Sequence, residues 1–382
     1  MTESRAHTPA TDELEAWLAL VRAPGFGPQP LAGLLQRNLP PTALLREPGL
    51  AAELGLPPAA RRWLQQPDRD RIEADLRWAE QDAAHVIPLT DPAYPPLLRE
   101  IPDPPPVLFV VGNPEWLRFH HLAIVGSRNP TPYGRGQARG IARQLGRGGL
   151  SITSGLARGI DAEAHRAALA VGAPTLAVMG TGPDLVYPAR HRDLAHQIAE
   201  RGALVTEFPP GSPPRSPHFP RRNRVIAGLS LGVLVVEAAL RSGSLITARH
   251  AMEQGREVFA VPGSVTNPLA RGCHALIRQG AKLVENGADV LEELGPLAGA
   301  NHRLLLEEPD PAPAAAEDPL LDPDHQRVLA AVEDFPTAVD EIVARSGLTP
   351  EEVSSILLIL ELGGHVCASA GGKYSRSAPT RG

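Results

Sequence analysis

The sequence predicts an α/β protein built on a doubly wound, mostly parallel sheet, with a helical bundle before it and a winged-helix module after it. Three observations carry this prediction. Between Leu122 and Leu294, short apolar runs alternate with helical patterns, as strands joined by helical crossovers do. From Asp12 to Asp82, helical patterns succeed one another around glycine and proline turns. After Asp324, three helical patterns lead into two short strand-like runs.

At 382 residues the chain has room for two or three domains, each with its own core. Residues 1–10 read as disordered and 11–84 as a helical domain. There Leu14, Trp17, Leu18, Leu20 and Val21 form one helical stripe. The turn Ala23-Pro24-Gly25-Phe26-Gly27-Pro28 then leads to a second helix from Leu31. That helix-turn-helix either closes a compact bundle or caps a DNA phosphate with free N–H groups. Residues 85–297 form the sheet domain, beginning with a proline-rich extended lead-in that ends in the apolar run Val107–Val111.

Expected strands follow at 122–125, 150–153, 175–179, 203–207, 231–236 and 257–261, with a short one at 282–284 and a helix at 288–294. Residues 298–323 are rich in Pro, Ala, Asp and Glu, a composition that buries no core and reads as an acidic linker. Residues 324–382 form the winged helix, with helices at 324–332, 338–345 and 351–362. Thr349 and Glu352 are spaced as a capping box. The third helix, the one that reads DNA in many such modules, offers Glu351, Glu352, Ser354 and Ser355 and no Arg or Lys. A protein-interaction role suits it better.

The net charge of −6 alone argues against a nucleic-acid partner, but its distribution argues otherwise. Residues 122–290 hold 20 Lys and Arg against 11 Asp and Glu, a net +9 that leaves −15 for the rest. A basic centre with acidic flanks suits a polyanion, or else forms an ordinary solvated surface. Cys273 and Cys367, the only cysteines, show no pairing or metal spacing, which points to a reducing compartment. No signal peptide begins the sequence and no apolar run approaches the ~20 residues of a membrane span, so a cytoplasmic protein without a membrane partner is expected.

Ligands of doubly wound sheets gather at the carboxyl ends of the strands. Gly126, Ser127 and Arg128 leave the first central strand there, and arginine can grip a phosphate through two parallel N–H bonds. The turn from Ser154 through Gly155 and Arg158 to Gly159 leaves the next strand, with glycines permitting close backbone approach. Neither turn is a dinucleotide fingerprint and no Walker lysine is present, so no cofactor is expected. Asp161 and His165 stand one helical turn apart, as an acid/base pair or as a helix cap beside a locally bonded histidine.

A second cluster follows strand 203–207. Arg215, Arg221, Arg222 and Arg224 surround Phe219 and Asn223 in a proline-rich loop. Cations beside an aromatic ring neutralise phosphates and stack a base, as a single strand requires; otherwise Phe219 packs inward and the arginines are solvated. Glu237 ends a strand before Arg241-Ser242-Gly243-Ser244, where Ser244 and Thr247 open a helix as another anion site. A carboxylate there would suit an enzyme acting on a ribose. Arg135, Arg139, Arg143 and Arg147 form an i, i+4 stripe, either a solvated helix face or a second nucleic-acid track.

Several ordered motifs now fall into one register: DPAYPPLL (91–98), VGSR (125–128), SGLARGIDAEAH (154–165), FPRRNRVIAGLS (219–230), SGSLITA (242–248) and VFAVPG (258–263). In these the chain resembles the DNA-processing protein A (DprA, or Smf) family over nearly its whole length. The resemblance implies a sterile-alpha-motif-like (SAM-like) N-terminal bundle, an extended Rossmann-like domain and a winged helix. It also implies a non-catalytic, homodimeric protein of natural transformation that binds single-stranded DNA and helps load RecA recombinase. The DNA pocket carries over to Gly126, Ser127 and Arg128 and to the loop of Phe219, Arg222 and Asn223. One departure is His274, where the family usually has asparagine. The sheet domain is also similar to nucleotide-acting lysine decarboxylase-like proteins, but their Pro-Gly-Gly loop is replaced by residues 241–244.

Overall fold

The computed structural model describes residues 11–295, 322–333, 335–369 and 371–377. The disordered N-terminus and most of the acidic linker, as read from the sequence, lie outside the described residues.

Helices α1 (Thr11–Arg22), α2 (Pro28–Gln36), α3 (Ala43–Arg46), α4 (Pro48–Glu53), α5 (Pro58–Gln65) and α6 (Arg69–Ala79) make the N-terminal bundle. Trp17, Leu18, Leu20, Leu31 and Leu34 are buried in its core. The sheet then opens with β1 (Ala84–Pro88), a short helix α7 (Pro96–Arg99) and β2 (Val107–Gly112). The bundle continues into the sheet's core, with the Trp78 ring edge-on to Phe109 of β2 at 5.8 Å. Arg22 grips the buried Asp75 carboxylate with two bonds of 2.6 Å and also donates to Pro210 O at 3.1 Å. That contact fixes the bundle beside a loop at the sheet's carboxyl edge.

The alternation continues with β3 (His121–Gly126), α8 (Pro132–Arg147), β4 (Ser151–Ser154), α9 (Ile160–Ala170), β5 (Thr175–Val178), α10 (Arg192–Arg201) and β6 (Ala203–Thr206). Then come α11 (His218–Gly228), β7 (Gly232–Val236), α12 (Ser244–Glu253), β8 (Glu257–Ala260), α13 (Arg271–Arg278), β9 (Lys282–Leu283) and α14 (Gly287–Leu294). Among the described residues the sheet has nine strands in the order β1-β2-β6-β5-β4-β3-β7-β8-β9. The strands from β3 to β9 are parallel, and only β2 runs antiparallel to both its neighbours, β1 and β6. The expected strands are present within a residue or two. The proline-rich lead-in holds one the periodicity did not predict, β1, whose Ala84–Pro88 backbone pairs with β2.

Alternate residues of β3 serve opposite cores. Leu122 and Ile124 pack with Ile141 and Leu145 of α8 and Ala164 of α9. Ala123 and Val125 join the core beneath α11, α12 and the bundle. A strand buried on both faces reads as a continuous apolar run, and β3 does. The order reverses between β3 and β7, a crevice where doubly wound sheets hold ligands.

The winged helix comprises α15 (Pro323–Ala331), β10 (Thr337–Ala338), α16 (Val339–Ser346), α17 (Pro350–Leu362), β11 (Val366–Ser369) and β12 (Lys373–Arg376), with strand order β10-β12-β11. Val328, Ile342, Val353, Leu357 and Leu360 form its core. The Thr349–Glu352 capping box is formed. The outer side of α17 exposes Leu358, Ile359 and Leu362.

Candidate nucleic-acid interface

The carboxyl ends of β3, β4 and β5 meet the start of α11 to form the candidate site. Gly126 closes β3 where any side chain would collide with Val236 O, at 1.9 Å from a Cβ. Ser127 is buried, its Oγ accepting from Asn129 N at 3.1 Å, so the turn is rigid where Arg128 departs. Arg128 is exposed and makes no ion pair with any described residue.

The second turn packs against the first. Gly159, at φ +78°, lies so close to Ser127 O and Arg128 C that only glycine fits. Its neighbour Arg158 is exposed. This turn holds itself together through Asp161, whose Oδ2 accepts from Gly155 N at 3.0 Å and Ala157 N at 3.2 Å. The N–H groups of Gly155 and Ala157 are thus already satisfied within the turn. Burial raises the Asp161 pKa, and Arg222, those two N–H groups and Arg128 oppose that rise.

Asp161 and His165 do not form an acid/base pair. His165 Nδ1 bonds Thr175 Oγ1 at 2.7 Å, and burial lowers the imidazole pKa to about 3, which keeps it neutral. Nor does Asp161 cap its own helix: the N-cap position is Gly159.

Of the two clusters, the second differs more from expectation. Arg222, read as a phosphate ligand, is 5% exposed. Its Nη1 donates to Gly155 O at 2.6 Å and also to Val178 O, and its Nε donates to Asn223 Oδ1 at 3.3 Å. It is a strut joining the ends of β4 and β5, and burial lowers its pKa to about 10, still charged at neutral pH. Asn223 is a second strut, its Nδ2 donating to Gly243 O at 3.3 Å.

Arg224 points elsewhere and is buried against Glu207 at 2.7 Å and Asp103 at 3.1 Å. Arg221 remains exposed, bridged to Glu207 at 2.8 Å. Ser154 is fully buried, its Oγ donating to Ile124 O at 2.6 Å, and Thr247 is 1% exposed. Ser244 bonds Ser242 Oγ at 2.7 Å. Ser154, Arg224 and Thr247 therefore support the site from behind its surface. An arginine-rich string gives no sign of which members face inward; burial decides it.

Arg215 is exposed, and Phe219 is half-buried against Gly180. The Phe219 ring lies 5.6 Å from that of Tyr187, which is 50% exposed. Sequence reasoning missed Tyr187. Its only signal was an aromatic residue before proline in the loop after β5, on the same edge. Among the expected site residues Arg128, Arg158, Arg215 and Arg221 are thus the exposed cations, beside the exposed Tyr187 ring and the half-buried Phe219 ring.

Glu237 sits at the β3/β7 crevice with φ +52°. Its carboxylate accepts from Thr131 N at 2.8 Å, Thr131 Oγ1 at 2.5 Å and Asn267 Nδ2 at 3.5 Å. Burial raises its pKa and those bonds oppose the rise. It borders a cavity of about 530 Å³ with Tyr133, Pro262 and Asn267, and with Phe335 and Arg376 of the winged helix. His274 closes the adjoining loop through Nε2 to Gly263 O at 3.0 Å. Among the described residues no cluster of His, Cys, Asp and Glu could hold a metal ion, and no helix is long and apolar enough to cross a membrane.

Comparison with known proteins places this geometry. Residues 85–295 match the family model of DNA recombination-mediator protein A, and residues 309–372 match the DprA winged helix domain. Protein Smf of Escherichia coli is 47% identical over 321 residues, 82% of this chain and 83% of that protein. The X-ray structure of DNA processing protein A from Streptococcus pneumoniae superposes with a TM-score of 0.67 at 39% identity, covering 73% of this chain and 97% of that one. DNA processing protein A from Helicobacter pylori, whose structure describes a single-stranded DNA binding mode, gives a TM-score of 0.50 at 30% identity over 54% of this chain and 94% of that one.

Proposed function

The chain belongs to the DNA recombination-mediator protein A (DprA/Smf) family, and on that premise we propose that it binds single-stranded DNA at the carboxyl edge of its sheet, without turnover. One observation carries this reading: the exposed Arg128 and Arg158 share that edge with the Phe219–Tyr187 ring pair, the turn of Arg128 held by Ser127 and that of Arg158 by Arg222 and Asp161. Exposed guanidinium groups neutralise phosphates, and a ring pair stacks bases of any sequence. Rigid turns reduce the ordering cost of binding. The single-stranded binding mode described for the Helicobacter pylori relative supports the same ligand.

The role in natural transformation, the homodimer and the loading of RecA recombinase are proposed from family membership. A cytoplasmic location agrees with two free cysteines, one buried and one exposed. The deciding measurement is affinity for single-stranded against double-stranded DNA across a salt series. Equal affinity for both would defeat the proposal.

Glu237 favours one second reading, cleavage of a nucleoside monophosphate, because a buried, strained carboxylate borders a cavity. Both its oxygens already accept hydrogen bonds from Thr131 or Asn267, so the structural role is preferred. Incubation with a nucleotide panel decides between them: free base released by the wild type and not by Glu237→Gln establishes the enzyme.

A further inference from the structure

Helix α8 begins after the N-cap Thr131, three residues past Arg128, and returns from the carboxyl end of β3 to the start of its parallel neighbour β4. Its 16 residues span about 24 Å. Arg135, Arg139, Arg143 and Arg147 are all exposed along it, and α8 contains no carboxylate. Like charges at i, i+4 destabilise a helix by about 0.2–0.5 kcal/mol per pair, so this spacing is not one that helix stability favours.

The neighbouring helix α9 adds Arg166, exposed, and Glu163, which among the described residues is the one carboxylate paired with the stripe. Glu163 bonds Arg139 Nε at 2.7 Å and lies 3.8 Å from Arg166. Arg135, Arg143 and Arg147 make no ion pair with any described residue. Helix α14 packs beside α8 through Gly287 N, which donates to Gln144 Oε1 at 2.6 Å; of its carboxylates, Asp289 closes the helix's own capping box and Glu293 pairs with Lys282 at 3.0 Å. The basic surface thus carries few carboxylates of its own, and its upper end begins beside the exposed Arg128.

We propose that the outer surface of α8 and α9 is an electrostatic track that carries the DNA strand away from the pocket toward the amino edge of the sheet. Arg135, Arg139, Arg143, Arg147 and Arg166 hold successive phosphates. The proposal rests on the single-strand reading above and adds a second, sequence-independent binding surface to it. Such a track strengthens binding only for strands long enough to leave the pocket.

The test uses the full chain and the double variant Arg143→Gln/Arg147→Gln, which alters the two positions farthest from the pocket. Both side chains are exposed, so an unchanged thermal midpoint is expected. Binding is measured across a salt series for a deoxythymidylate of about 6 nucleotides, within the span of one binding groove, and for one several times longer. A short duplex is the third ligand. The expected result is an unchanged short-strand affinity and a long-strand salt slope shallower by about 1.4, or about 0.7 for each phosphate that is no longer neutralised.

An unchanged long-strand slope overturns the track. So does a loss that is equal for short and long strands, or one confined to the duplex. Failure of the pocket reading is seen separately: Arg128→Ala then leaves short-strand binding unaltered, while the long-strand slope still decides the track.

Discussion

Arg222 and Gly155 are fitted to each other. Arg222 Nη1 donates to Gly155 O at 2.6 Å, and Nη2 lies 2.4 Å from where a Gly155 side chain would begin. The guanidinium therefore rests on the bare backbone of the turn after β4 while also bonding Val178 at the end of β5. Any residue but glycine at 155 displaces it, and any shorter cation at 222 leaves two strand ends unbridged.

Arg222→Ala is accordingly expected to cost stability more than charge. Removing the buried guanidinium takes a nearby positive charge from Asp161 and leaves two carbonyls without their donor, a change worth about 1–3 kcal/mol. Chemical denaturation checks this. A loss below about 1 kcal/mol, with DNA affinity abolished, would return Arg222 to the role of a direct phosphate ligand.

Arg128→Ala is expected to behave in the opposite way. Its side chain is exposed, so stability changes by about 0.5 kcal/mol or less. Single-strand affinity falls, and the slope of log affinity against log salt becomes shallower by about 0.7. A salt titration on a protein of unchanged melting temperature reads both.

The ring pair predicts a joint effect. Phe219→Ala and Tyr187→Ala should each weaken single-strand binding by about 1–3 kcal/mol if each ring stacks a base. The Tyr187 variant is the cleaner of the two, because half-buried Phe219 also packs on Gly180. Fluorescence titration with a short oligonucleotide measures both, and an effect of Phe219 without one of Tyr187 restricts stacking to the former.

Stability should decline on acidification through the buried histidines. His165 titrates near 6.5 when unfolded and at about 3 when folded, so between those values the unfolded chain binds a proton that the folded chain does not. The resulting stability is complete above pH 6.5 and is lost as pH falls, by up to about 1.4 kcal/mol per pH unit. His121, lowered by burial to about 4, acts in the same sense. Asp161, Glu207 and Glu237 are raised by burial and act in the opposite sense. Comparing wild type with His165→Gln from pH 7 to pH 5 isolates the histidine: the variant should show the weaker pH dependence.

A chain ending at Gly295 should keep its single-strand affinity, because the exposed arginines and rings of the pocket all precede that residue. Loss of binding in a folded truncation would assign the winged helix a direct part in holding DNA.

The sequence by itself determined the architecture. The apolar runs 122–125 and 231–236 are continuous because β3 and β7 are buried on both faces, and that continuity is readable without coordinates. It likewise placed Arg128, Arg158 and Phe219 on one edge, since residues that follow parallel strands share an end of the sheet. Only the tertiary structure decided which polar residues face the ligand and which support it. Arg221, Arg222 and Arg224 are near neighbours on one helix, yet one is exposed, one bridges two strand ends and one is paired with Glu207 and Asp103. Their roles follow from what lies across the core from each, more than 100 residues upstream for Arg224 and Asp103. Tyr187 became visible for the same reason: its partner Phe219 lies on a different element, and only the fold brings their rings to 5.6 Å.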